Sequence, residues 1–183
     1  PWAVIEALIE TYKDGPQMKD DQGMLPVHLP CRNGASKGVV LTLLNSFPDS
    51  IKVRDRKGRL PIDLVLSSSS ANKEAVLSAI RRFQTDYDNG NLAGHGIHHA
   101  KSELTGMTVG LNPKAHTNEV DYEHRTVLFR LILKKDWKAA SNRANTFPDE
   151  ASTWIVTKGF NGNLRFLPLH KACVLQPPVN LVE

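Results

Sequence analysis

The chain has few of the features that usually indicate catalysis or a membrane. It contains two cysteines, Cys31 and Cys173, and no Asn-X-Ser/Thr acceptor, so the sequence indicates no disulfide framework. No apolar run approaches the roughly 18 residues of a membrane-spanning helix, and the acidic start PWAVIEALIE lacks the basic flank of a signal peptide. We therefore predict a soluble intracellular protein, in the cytoplasm, with a nuclear location left open.

The chain also has no large excess of charge of one sign. The formal net charge of the 183 residues is +4, and 40 % of them are hydrophobic, which is enough for a core. Residues 124–183 carry nine basic and four acidic residues, whereas residues 87–123 carry two basic and five acidic ones. Without a dense basic patch, this asymmetry is too weak to indicate a nucleic-acid partner.

The sequence does contain an internal repeat. Residues 20–31, DDQGMLPVHLPC, align with residues 55–66, DRKGRLPIDLVL, and with residues 164–175, LRFLPLHKACVL. All three copies share Leu-Pro, an apolar residue and then His or Asp. The first two copies precede stretches with apolar residues at helical spacing, in 39–49 (VVLTLLNSFPD) and 75–83 (AVLSAIRRF). The predicted unit is a turn, a short helix opened by proline, a loop and a longer amphipathic helix.

This unit resembles the ankyrin repeat, with its turn, its TPLH-type opening and its VV/LL second helix. Leu takes the place of the usual Thr, and Phe-Pro-Asp that of Gly-Ala-Asp. The resemblance implies an all-α, ankyrin-like helix-turn-helix solenoid of about four repeats, the terminal ones incomplete, with a long insertion in the middle. It also implies that each histidine bonds backbone groups that link neighbouring turns.

The resemblance divides the chain into three predicted parts. Residues 1–86 are N-terminal ankyrin-like repeats, residues 87–123 are a Gly/His/Asn-rich insertion or linker, and residues 124–183 are truncated C-terminal repeats. Within the linker a short helix is expected at 98–105. Residues 2–12 are predicted to be a lone second helix that lacks its first, as in a fragment of a longer solenoid.

Three patterns in the sequence could indicate a metal-binding or catalytic site. His28 and Cys31, like His170 and Cys173, form an H-x-x-C pair, and two such pairs could make a zinc site. The spacing follows the repeat, however, and we expect the two pairs to lie several layers apart. The other two patterns are the linker histidines His95, His98 and His99 and the S-x-x-K match at Ser70 and Lys73. Each lacks the partners that its chemistry requires. We predict no cofactor, no metal and no catalysis.

The turn tips are the predicted binding surface, because the resemblance implies that turns and inner helices line a concave face that grips another protein. The candidate partner-binding residues are Arg54, Arg56, Lys57, Arg59, Asn161, Asn163 and Arg165. The predicted function is a non-catalytic scaffold for protein–protein interaction, with no small-molecule, nucleic-acid or membrane partner. The open alternative is a regulatory or substrate-recruiting region of a larger enzyme whose catalytic domain lies outside these residues.

Overall fold

The computed structural model of the protein describes residues 2–91, 118–159 and 162–175. The predicted helix at 98–105 and the linker histidines His95, His98 and His99 lie outside the described residues. The helices are Trp2–Thr11 (α1), His28–Asn33 (α2), Lys37–Ser46 (α3), Pro61–Leu66 (α4), Lys73–Asp88 (α5), Val127–Leu133 (α6), Trp137–Thr146 (α7), Asp149–Ser152 (α8) and Pro168–Leu175 (α9). The strands are Glu119–Asp121 (β1), Trp154–Gly159 (β2) and Gly162–Phe166 (β3).

Local sequence signals explain where the helices begin. Pro61 and Pro168 are the first residues of α4 and α9, where a missing backbone N–H costs nothing. The Asp63 carboxylate accepts the backbone N–H of Leu60 at 2.8 Å and so satisfies a free donor at the start of α4. The hydroxyl of Thr126 caps α6 by accepting the N–H of Phe129 at 3.2 Å.

The helices pack in two rows. One row contains the short helices in the order α6, α9, α2 and α4, and the other contains the longer helices in the order α7, α1, α3 and α5. Across the rows, α6 pairs with α7, α9 with α1, α2 with α3, and α4 with α5. Apolar side chains between the rows form the core, in which Leu8, Leu25, Leu43, Leu64 and Ile132 are almost fully buried.

One of these pairs is assembled from parts of the chain that are far apart in sequence. Helix α1 is the long partner of α9, and it also packs against α7 and α3. The predicted lone second helix therefore finds its first helix more than 150 residues later in the chain. We call the contact of residues 2–91 with residues 118–175 the seam.

The prediction of an all-α fold is wrong. Strands β1, β2 and β3 form one sheet, in which β1 runs parallel to β2, with Val120 opposite Ile155, and β3 runs antiparallel to it, with Val156 opposite Arg165. The runs WIVTKG and GNLRF contain β-branched and aromatic residues that favour strands, and the helical spacing of the repeat does not extend into them. The fold is helix-dominated and mixed. No helix in the described ranges is both long and apolar enough to cross a membrane.

Candidate functional site

The turns before α9, α2 and α4 lie side by side and form what we call the turn row. It consists of the β2–β3 hairpin and the turns at 20–24 and 55–59. The backbone N–H of Arg165 donates to the Asp21 carboxylate at 2.8 Å, and that of Arg56 donates to the Gln22 carbonyl at 3.1 Å. The turns at 20–24 and 55–59 also share a glycine with positive φ, 72° at Gly23 and 75° at Gly58, which explains the repeated glycine.

Two of the short helices, α2 and α9, are each bonded to a neighbouring backbone segment by a buried histidine. His28 Nδ1 accepts the N–H of Leu25 at 3.1 Å, so its Nε2 carries the proton and donates to the Val53 carbonyl at 3.1 Å. His170 repeats this arrangement. Its Nε2 reaches the carbonyl of Met18 at 3.1 Å and therefore bonds across the seam. Burial lowers the pKa of His170 to about 4, so the ring is neutral at neutral pH.

The expectation that the two H-x-x-C pairs lie several layers apart is wrong, because α2 and α9, which carry them, pack directly against each other. Both ring nitrogens of His28 and of His170 are nevertheless engaged with backbone groups. Cys31 and Cys173 are buried free thiols, and burial raises the pKa of each. Within the described ranges, no group of three or more His, Cys, Asp or Glu side chains could hold a metal ion.

Both side chains of the S-x-x-K match, Ser70 and Lys73, donate hydrogen bonds to backbone carbonyl groups. The hydroxyl of Ser70 donates to the Gly34 carbonyl at 3.2 Å, and the ammonium group of Lys73 donates to the Leu66 carbonyl at 2.6 Å. The Ser70 bond holds the loop between α4 and α5 against the preceding helix pair, and the Lys73 bond links the start of α5 to the end of α4. They assign both side chains a structural role.

The basic residues of the 55–59 turn fall into two groups. The guanidinium of Arg59 forms an ion pair with the buried carboxylate of Asp55 at 2.7 Å, and Arg54 donates to the Gly58 carbonyl at 2.6 Å. Desolvation acts to raise the pKa of Asp55, but hydrogen bonds from Arg59 and from the backbone of Lys57 outweigh it and lower the pKa. Arg56 and Lys57 are exposed, and no side-chain hydrogen bond or ion pair engages them in the described ranges. They are the two exposed candidates of this group whose side chains are not held by such a contact in the described ranges, whereas the exposed Arg54 is bonded to Gly58.

In the β2–β3 hairpin, the partly exposed Arg165 forms ion pairs with two carboxylates of other segments. Its guanidinium lies 2.9 Å from the Glu119 carboxylate and 3.3 Å from that of Asp21. The bond to Glu119 is the main reason why its pKa is raised. Asn163 is exposed on β3, and Asn161 lies outside the described residues. Of the predicted tip residues, Arg165 therefore joins the hairpin to the turn at 20–24, whereas Arg59 pairs inside its own turn.

A cleft opens where α2 and α9 meet the turn row. Its volume is about 160 Å³. It is lined by Leu29 and Arg32 of α2 and by His170, Lys171 and Val174 of α9. The other lining residues come from the turn row, namely Asp20, Asp21, Gln22, Leu164, Arg165 and Phe166. Both sides of the seam contribute, so the cleft requires the two parts of the chain to be docked.

Of the residues lining this cleft, Arg165 alone was predicted as a site residue. A signal for Lys171 was present, because it occupies the position of Leu29 when the LPLH and LPVH copies are aligned. A charged residue in place of an apolar one in a repeat is a departure that core packing does not require. The chain matches no protein-family model, no curated protein and no solved structure.

Proposed function

We propose that this chain is a non-catalytic protein-recognition module, built from repeats that resemble the ankyrin repeat, and that it binds a partner protein along the turn row and the adjoining cleft. The cleft between α2 and α9 is the observation that carries this proposal. Apolar and charged side chains line it together, as they do in protein-binding surfaces.

The exposed pair Arg56 and Lys57 would extend this surface along the turn row. Neither side chain is held by a partner within the described ranges, whereas Arg54 and Arg59 are engaged inside their own turn. Because free cations at the edge of a surface attract acidic partners and speed their association, we infer that the partner is acidic at this point. We also infer an intracellular, reducing location, cytoplasmic or nuclear, which suits two free buried thiols.

The test is affinity capture from a native lysate with the parent chain and two charge-reversal variants. The first variant combines Arg56→Glu with Lys57→Glu. The matched control combines Arg81→Glu with Arg82→Glu, which reverses two exposed charges on α5, away from the turn row. The proposal predicts that one partner is recovered with the parent and with the control, and is depleted with the first variant.

Melting curves of both variants show whether the fold is retained. Equal recovery by all three proteins would remove Arg56 and Lys57 from the binding surface. No specific recovery by any of them would contradict the recognition function itself.

A further inference from the structure

The alignment of the two copies places the charges of the cleft in an alternating pattern. Leu29 of α2 and Lys171 of α9 occupy equivalent positions in their copies, and so do Arg32 and Val174. Each helix therefore contributes one cation and one aliphatic side chain to the lining of the cleft, in opposite order. A ligand in the cleft is within reach of both positive charges and of the aliphatic side chains, of which Leu29 is only 3 % exposed.

The acidic groups of the cleft take part in the turn row. The carboxylate of Asp20 accepts the backbone N–H groups of Gln22 and Met24 at 2.9 and 2.8 Å. The carboxylate of Asp21 accepts the backbone N–H of Arg165 at 2.8 Å and lies 3.3 Å from its guanidinium. These carboxylates support the turn row; both bonds to Asp20 end on the same oxygen, Oδ1, and burial raises the pKa of this carboxyl.

The two helices each carry one cation in the cleft. The guanidinium of Arg32 donates to the side-chain oxygen of Asn33 at 3.3 Å and to the sulfur of Met24 at 3.6 Å, and its charge also acts on the carboxyl of Asp20, whose pKa it lowers against the larger effect of burial. The ammonium group of Lys171 has no hydrogen bond or ion pair in the described part of the chain, although the residue is half-buried. Partial burial lowers the pKa of Lys171, since its charge is poorly solvated there. An anion bound in the cleft would balance the positive charges of Arg32 and Lys171.

The volume of the cleft indicates the size of anion that it can hold. A volume of about 160 Å³ corresponds to roughly five water molecules at about 30 Å³ each. Small-molecule sites usually measure roughly 300–1,000 Å³, so the cleft suits one or two amino-acid side chains rather than a cofactor. The fixed carboxylates of Asp20 and Asp21 would repel a doubly charged phosphate more strongly than a singly charged carboxylate.

We propose that the cleft receives an Asp or Glu side chain of an acidic peptide segment, with its carboxylate between Lys171 and Arg32 and a neighbouring aliphatic side chain against Leu29 and Val174. This inference rests on the proposed recognition function and adds the chemistry of the ligand. Because both sides of the seam form the cleft, such a ligand also favours their docking.

The experiment selects ligands with the full chain from a phage library of random seven-residue peptides. The best peptide is then resynthesised with a fluorescent label, in the parent form and with each Asp or Glu replaced by Asn or Gln. Fluorescence anisotropy measures the Kd for the parent protein, Lys171→Met, Arg32→Gln and the control Lys158→Met. Lys158 is an exposed lysine of β2 that does not line the cleft.

The expected result is a peptide with Asp or Glu beside Leu, Ile or Val. Its affinity should fall at least about tenfold with Lys171→Met, with Arg32→Gln and with the amide peptide, and stay unchanged with Lys158→Met. The variant Lys171→Arg, which keeps the charge, should bind within a few-fold of the parent and so separates loss of charge from loss of fold.

Four outcomes would overturn the inference. Enriched peptides without an acid, or acidic peptides that bind Lys171→Met and the parent equally, would refute the cleft while leaving the recognition function standing. Tighter binding of a phosphoserine peptide than of the Glu peptide would identify a phosphate site instead. No enrichment at all would refute the proposed function together with this inference.

Discussion

The docking of α1 inside the array can be tested by truncating a single side chain, with Leu8→Ala. Leu8 is 1 % exposed, on a helix that packs against α7, α9 and α3. The substitution removes three carbons, and at about 0.8 kcal/mol each the lost transfer free energy is about 2.4 kcal/mol. The cavity adds to this, so we expect the free energy of unfolding to fall by about 2–5 kcal/mol.

The assay is urea unfolding followed by circular dichroism and tryptophan fluorescence, with the midpoint and the m-value fitted together. Leu43→Ala on α3 is the reference for a core residue of a unit continuous in sequence, and it should also cost about 2–5 kcal/mol. Glu6→Ala, exposed on α1, should change stability by less than about 0.5 kcal/mol.

A helix docked only at the edge of the molecule would respond differently. Its apolar face would stay partly open, and the protein could relax around the shortened side chain. A loss below about 1 kcal/mol for Leu8→Ala, beside a full loss for Leu43→Ala, would refute the seam. Similar losses for the two variants would place α1 in the core as securely as α3.

Two further predictions concern the turn row. In the folded protein His170 has a pKa of about 4, below the ordinary 6.5, so the unfolded chain takes up a proton at a higher pH than the folded one. The free energy of unfolding should therefore decline as the pH falls from about 6.5 to about 4, by at most about 1.4 kcal/mol per pH unit. Urea melts across this range should show a shallower decline for His170→Gln, and an identical decline would contradict the assignment. Asp55→Asn removes the charge that Arg59 pairs with and should cost about 1–3 kcal/mol in thermal melts, whereas the control Asp14→Asn, exposed and without a capping bond, should cost less than about 0.5 kcal/mol.

Much of the helical structure could be predicted because its signals are local. The Leu-Pro openings before α4 and α9 and the apolar spacing in α3 and α5 depend on residues three or four positions apart. The hairpin was missed because the repeat led to a turn being expected at 161–165. Yet the β-branched residues of WIVT and the Asn-Gly at 161–162 were visible strand and turn signals.

The candidate site was predictable only in part. Charge clustering identified the exposed Arg56 and Lys57, but it could not separate them from Arg59, whose charge is neutralised by the buried Asp55. The cleft could not be predicted, since Arg32 and Lys171 lie 139 positions apart in sequence and face one cleft only across the seam.

The sequence by itself determined the repeated unit: where proline opens a short helix, where glycine turns the chain, and which histidines bond the next turn. These depend on backbone preferences and on contacts within or between adjacent units. Only the tertiary structure decided the order of the units, because every long helix of the repeat offers a similar apolar face. The pairing of α9 with α1 joins segments more than 150 residues apart and buries the apolar faces of both helices, which no local signal specifies.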